Sequence, residues 1–250
     1  MSDLRDRRKL PHIEVNAATL KWYGCATMLF YSISMSVIQN GLLHVNQYTS
    51  LELRELMLAD PERMVLSSWA AVFQLLGGLA IPVFAFLMVE GFLHTRSCKN
   101  YLLRMAAFAL ISEIPFDLAM SGRVFDWTGQ NLLFTLTIGL VMLYGLKLFD
   151  AGKGMKLLIV FAAVLWSMLM KTQFGVCMIL LIAVYYLLKD NQAKLWIGGI
   201  ISLIYVTGPV SNFVLKRYDH QLGNYPGKYL FYILYPAHLL LLGLITYVIA

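Results

Sequence analysis

Charge is what this sequence has least of. Asp, Glu, Lys and Arg make up 14% of its 250 residues, against about 25% in soluble domains. With a mean hydropathy of +0.68, that deficit leaves too little polar surface for a soluble domain and points to a membrane. Cysteine is scarce as well. Cys25, Cys98 and Cys177 stand in apolar stretches or a basic turn, at no spacing that suggests a disulfide framework or a zinc site. Neither a GxxxxGKS/T nor a GxGxxG phosphate loop occurs, so ATP-driven work is not indicated. HExxH and other metal-ligand spacings are missing, and no Ser, His and carboxylate cluster marks a hydrolase triad. Internal repeats and low-complexity segments are also absent.

Apolar runs fill the space. A span needs about 20 mainly apolar residues, and eight stretches approach that: 20–44, 68–93, 101–120, 131–149, 155–170, 172–189, 195–214 and 230–249. The expected fold is therefore all-α, a polytopic transmembrane helical bundle of eight spans. Residues 1–19 form a cytoplasmic tail, and 20–250 form a single transmembrane domain. An amphipathic segment near 50–66 lies on the outer surface, with Leu51, Leu53, Leu56, Met57 and Leu58 on its stripe. The first span starts too far in and is too long to read as a cleaved signal peptide. The boundary near Lys171 is the weakest in the pattern.

Basic residues set the orientation rather than a nucleic-acid surface. Eight spans put Arg5, Arg7, Arg8, Lys9, Lys21, Arg96, Lys99, Arg104, Lys147, Lys153, Lys156, Lys189 and Lys194 on one side. The smaller set on the other is Arg54, Arg63, Arg123, Lys171, Lys216, Arg217 and Lys228. The positive-inside rule then places both termini in the cytoplasm.

Against this apolar background the buried polar groups stand out. An ionised carboxylate in hydrocarbon costs several kcal/mol unless paired, hydrated or protonated. Glu90 and His94 share a helix face at i and i+4 near the inner end of the second span. Two readings stand: a salt-bridged helix end, or an anchor for an anionic ligand alongside Arg96, Lys99 and Arg104. Glu113 lies past the midplane of the third span, beside Ser112 and before the helix-kinking Pro115. Asp117 is at i+4 from Glu113, so two carboxylates share one face and raise one another's pKa. His238 lies one third into the last span, at the depth of Glu113. His44 closes the first span at the outer face, and Asn131 opens the fourth, where it can cap the helix or bind substrate.

These polar groups sit in four blocks: GGLAIPVFAFLMVEGFLHTRSCKNYLLR (Gly77–Arg104), ALISEIPFDL (Ala109–Leu118), NLLFTL (Asn131–Leu136) and KYLFYILYPAHLLL (Lys228–Leu241). In this order they resemble the TraX family of integral membrane proteins, and together they span most of the chain. The family is known for N-terminal acetylation of conjugative pilin. It looks related to membrane acyltransferases that move an acyl group from cytoplasmic acyl-coenzyme A to an acceptor. The resemblance implies that Glu90, Arg104, Glu113, Asn131 and His238 are motif positions. It also implies a multi-pass location in a bacterial cytoplasmic membrane. Three elements depart from the family. Its Asp-His pair, about ten residues beyond a lysine in the first span, falls on Tyr31-Ser32 here. Its Gly-Arg is Gly77-Gly78, and its Asp-Tyr-Gly motif is not evident around Met170–Gly175.

The functional expectation is acyl transfer from acetyl-coenzyme A to a protein amine, a sugar or a lipid. In that scheme His238 is the general base. Glu113, with Asp117, orients the imidazole. Arg96, Lys99 and Arg104 face the coenzyme phosphates, and Glu90, Asn131 and His44 line the cavity. Membrane lipid is the surrounding partner; metal and nucleic acid have no part. The alternative is a non-catalytic member of the family, an assembly partner or a transporter-like pore, as the altered Tyr31-Ser32 pair would suit.

Overall fold

Helix starts follow local capping chemistry. Asn16 Oδ1 accepts the Thr19 amide at 2.9 Å and opens α1 (Ala17–Ile33). Thr49 and Glu52 form a reciprocal capping box on α2 (Ser50–Ala59). Asp60 caps α3 (Pro61–Gly78), with Pro at the first helical position, where no amide is lost. The computed structural model describes residues 15–149, 152–224, 227 and 229–249. The N-terminal basic cluster Arg5, Arg7, Arg8 and Lys9, together with Tyr225, Pro226 and Lys228, lies outside the described residues.

The rest of the described chain is also helical: α4 (Ala80–His94), α5 (Cys98–Ser121), α6 (Leu132–Leu148), α7 (Lys153–Leu169), α8 (Gly175–Leu187), α9 (Ala193–Ser202), α10 (Gly208–Leu215) and α11 (Leu230–Ile249). A π-helix over Ser34–Leu42 extends α1. The pairings outside helices are two isolated bridges, Val15 with Tyr218 and Gln130 with Thr172. The all-α expectation holds. The helix Pro61–His94, taken through its bend at Leu79, and α11 are each long and apolar enough to cross a membrane; α6, α8 and Ala193–Tyr205 are apolar but shorter.

Seven passages run between the two ends of the bundle: α1, α3 with α4, α5, α6, α7, α8 and α11. The eighth expected span, 195–214, does not. It folds into a hairpin of α9 and α10. The Asn212 side chain donates to Leu195 O at 2.9 Å, and the backbone of Gly208 meets Ser202, so the two short helices run antiparallel. The tip carries a 3-10 turn, Leu203–Tyr205, and Thr207 Oγ1 there donates to Leu75 O inside the bundle. Thr207-Gly208-Pro209 breaks the helix at that point: Pro lacks an amide, and glycine admits the close approach. The chain then returns to the end it left. The Val15 amide donates to Arg217 O at 3.0 Å, and Ala17 N to Gln221 O at 2.8 Å.

This corrects the eight-span reading and its termini. The hairpin makes α11 run parallel to α1. Phe231 packs against Trp22, Thr246 against Ser36 and Ile249 against Gly41. The start of α1 and the end of α11 therefore lie at opposite ends. The segment after α10, expected at the outer face, sits instead at the first end beside the start of α1. The interior is unusually polar for so apolar a chain. Ser32, Ser34, Ser36, Ser112, Asn131 and Thr135 are fully buried, while Leu157, Leu169, Trp196, Tyr247 and Val248 are exposed.

Candidate functional site

The site forms where α1, α5 and α11 cross. On α5 and α11, Phe108 stacks on Tyr232 and Gly243 meets Leu118 and Ala119, which sets Glu113 level with His238. A Cβ at Gly243 would lie 3.0–3.2 Å from those atoms, so glycine is what lets the helices meet. His238 Nε2 lies 3.1 Å from Ser32 Oγ, and its Nδ1 lies 3.0 Å from Leu234 O. A carbonyl oxygen can only accept. Nδ1 therefore carries the proton, and Nε2 presents its lone pair to the serine. The equal-depth expectation for Glu113 and His238 holds, but their pairing does not. Both imidazole nitrogens are engaged elsewhere, and no hydrogen bond or ion pair joins the two among the described residues.

Glu113 is held by Asn131 instead. Asn131 Nδ2 donates to Glu113 Oε2 at 2.5 Å and to Ala109 O at 2.8 Å, while its Oδ1 caps α6 by accepting the Leu133 amide. Asn131 thus caps the helix and braces the carboxylate at once. Next to it, the Leu132 amide donates to the Tyr235 hydroxyl at 3.2 Å. Tyr235 has Glu113 and Tyr31 as electrostatic neighbours, and its ring lies 5.5 Å from that of His238. Tyr31 in turn touches Phe174, and its hydroxyl is in reach of the Gln173 side chain. Two buried acceptor oxygens in this chamber, Glu113 Oε1 and Gln173 Oε1, have no hydrogen-bond partner. Gln173 Oε1 accepts in either case, and Glu113 accepts when ionised and donates when protonated, so the two groups are open to a polar ligand.

The other expected residues fall elsewhere. Asp117 is buried but accepts the Asp126 amide at 2.9 Å. It ties down the outer loop and makes no contact with the imidazole. His44 sits at the second end in a left-handed conformation, φ 52°, beyond the π-helix, and does not join the chamber. Glu90 lies at the first end, where Oε2 is 3.7 Å from both His94 Nδ1 and His220 Nδ1. Of the three cofactor candidates, Arg104 alone lines a cavity; Arg96 and Lys99 are exposed on the turn.

That cavity has a volume of about 330 Å³ and opens at the first end. Lys21, His94, Thr95 and Arg104 give it a polar mouth, and Met105, Leu133 and Leu136 an apolar floor. Arg104 Nε is buried without a hydrogen-bond partner. A second cavity of about 310 Å³ lies toward the other end, lined by Lys171, Phe174 and Tyr205, and the Phe174 ring packs on Tyr31. Tyr31, Ser32, Gln173 and Tyr235 are the chamber residues that helical spacing did not single out. Tyr31 and Ser32 alone had a signal, as the two positions of the departed pair about ten residues after Lys21. Gln173 comes from a turn, laced to α6 by Thr135 Oγ1 donating to Gln173 O.

The probable fimbrial assembly protein FimC, serogroup H1, of Dichelobacter nodosus is 28% identical over 200 residues, covering 66% of this chain and 79% of that protein. No solved structure matches. The family model described as TraX protein matches residues 53–246, which include Glu113, Asn131 and His238. The chain belongs to the TraX family.

Proposed function

We propose that the chain is a multi-pass membrane acyltransferase that moves an acetyl or related acyl group from acyl-coenzyme A to an amine or hydroxyl. One observation carries this reading: a neutral imidazole whose Nε2 lone pair faces a hydroxyl inside a buried polar chamber. A group so placed takes a proton from an attacking nucleophile. Glu113 Oε1 and Gln173 Oε1 supply acceptors for the donors of an incoming amine or hydroxyl. The mouth of the first cavity, with Lys21 and Arg104, suits the coenzyme's phosphates, and its apolar floor suits the pantetheine arm. The residues present thus fit acyl-coenzyme A as a substrate, with Arg104 in the role once shared with Arg96 and Lys99.

The membrane assignment rests on the apolar outer surface, with Leu157, Leu169, Trp196, Tyr247 and Val248 among its exposed side chains. The hairpin also sharpens the charge asymmetry. Lys216 and Arg217 move to the first end, so the basic residues at the second end, among those described, are Arg54, Arg63, Arg123 and Lys171. The positive-inside rule then puts the first end in the cytoplasm and the end of α11 on the far side. The setting is the bacterial cytoplasmic membrane, with cytoplasmic coenzyme entering at the basic mouth.

Detergent-purified protein tests the reading. Acetyl-coenzyme A is expected to raise the melting temperature of the wild type, and Arg104→Ala to lose most of that gain. His238→Ala is expected to lower acyl transfer by about 10²–10⁴-fold, the usual worth of a general base. Unchanged transfer would remove His238 from the role. The printed name of the fimbrial relative keeps a non-catalytic assembly role in view; a wild type without acetyl-coenzyme A stabilisation or turnover favours it.

A further inference from the structure

We propose that Ser32 is the first acceptor of the acyl group, so that transfer proceeds through an acyl-serine. The proposal rests on the acyl-transfer reading above and adds a covalent step to it.

Ser32 Oγ stands 3.1 Å from His238 Nε2 and 3.1 Å from Met28 O. The hydroxyl has one hydrogen. Met28 O is a main-chain carbonyl one turn back in the same helix, whereas Nε2 has no other partner among the described residues. The hydroxyl donates to Met28 O; turning its hydrogen about the Cβ–Oγ bond delivers it to Nε2 at the same 3.1 Å, and Leu234 O fixes the tautomer that leaves Nε2 able to take it. This is the nucleophile, base and orienting group that covalent catalysis needs, with a backbone carbonyl in the orienting place. Ser32 also occupies the last turn of α1, next to the π-helix that starts at Ser34. Such irregular turns often mark working positions.

The two cavities give the step a purpose. The first, with Arg104, reaches α1 at Cys25 from one end; the second reaches Phe174 and Tyr205 from the other, and Phe174 packs on Tyr31 beside Ser32. Neither cavity touches Ser32: the first stops at Cys25, about 10 Å along α1, and the second at Phe174; in the proposed scheme donor and acceptor come from these opposite sides and need not be bound together. Full burial of Ser32 shields the ester from water. It also means that the donor's arm must part the side chains at the cavity floor to reach Oγ.

The chemistry balances. Oγ attacks the thioester carbonyl carbon and its proton passes to Nε2. The C–S bond breaks, and the coenzyme leaves as a thiol by taking that proton. The acceptor amine or hydroxyl then attacks the seryl ester, its proton passes to Nε2, the C–Oγ bond breaks, and Oγ recovers the proton.

The test uses full-length protein in detergent with radiolabelled acetyl-coenzyme A and no acceptor. Base-labile label, up to one acetyl per chain, is expected on the Ser32 peptide, with a matching burst of free thiol. Ser32→Ala and His238→Ala are each expected to lower both at least 100-fold, measured at a temperature where each variant remains folded by its own melting profile. Ser32→Cys is expected to carry the label as a thioester. Turnover of acetyl-coenzyme A that survives Ser32→Ala, or label that maps elsewhere, overturns the acyl-serine and leaves direct transfer through His238 standing. A wild type with no label, no thiol release and no stabilisation by acetyl-coenzyme A overturns both proposals.

Discussion

Single residues carry several jobs here, and their energetics follow from what each would leave unpaired. Asn131 caps α6 and holds Glu113 Oε2 and Ala109 O. Asn131→Ala strands the Leu133 amide and leaves Glu113 Oε2 only the longer bond, 3.4 Å, from the residue-131 backbone amide. Each buried polar group left unsatisfied costs about 1–3 kcal/mol, so the variant should melt well below the wild type; Asn131→Asp should do worse, with two carboxyl groups facing each other. Differential scanning fluorimetry in detergent checks both. Glu52, on the exposed helix α2, behaves differently. Hydrogen bonds from the Thr49 amide and hydroxyl hold its carboxyl below the usual range. A lowered folded value means the cap is fully present above the normal carboxylate pKa and is lost as pH falls through the folded value. Amide exchange at Leu53 should therefore speed up in acid and stay slow at neutral pH, and Glu52→Gln should flatten that dependence. The residue scale also shows what spacing could and could not reveal. The helical rise set Glu113 and His238 at one depth, as found. It could not reveal that the imidazole's partner would come from Ser32, 206 positions earlier in the chain, because side-chain pairing across helices leaves no periodic trace.

At the scale of elements, close helix crossings decide the geometry. Gly77 sits against Tyr31: a Cβ there would stand 2.4 Å from the Tyr31 Cβ and 2.9 Å from its Cα. Gly77→Val should push α3 from α1 at a cost of about 1–3 kcal/mol, typical of overpacking. It should disturb Ser32 next door, which would lower both melting temperature and acyl transfer. Gly78 faces the hairpin tip, where a Cβ would meet Thr207 Oγ1 and Tyr205 O at 2.8 Å. Its departure from the family's Gly-Arg has a physical reason here, since the tip occupies the room an arginine would need. Gly78→Arg should expel the tip and destabilise the protein, with melting lowered about 2–4 °C for each kcal/mol lost; Gly78→Ala should be milder. The hairpin was the element hardest to read in advance. Its mainly apolar run, 195–214, satisfies a span in length, and only Thr207-Gly208-Pro209 hinted at the break. The other spans were legible because each keeps one direction through the bundle, even where α1 passes into a π-helix and α3 bends into α4.

For the whole described bundle, one hairpin changes the parity of the passages and puts the start of α1 and the end of α11 at opposite ends. Membrane-impermeant thiol labelling of intact cells tests this. With the native cysteines replaced, a cysteine at Tyr247 should react from outside and one at Arg96 only after permeabilisation. Equal protection of both would restore an even count. Parallel packing of α11 on α1 has a further consequence, for biosynthesis. Ser32 leaves the ribosome 206 residues before His238, so the pair cannot form until α11 has entered the bundle. A chain truncated before residue 230 would carry the serine without its imidazole neighbour. If the proposed acyl transfer runs through this pair, competence would wait on the docking of α11.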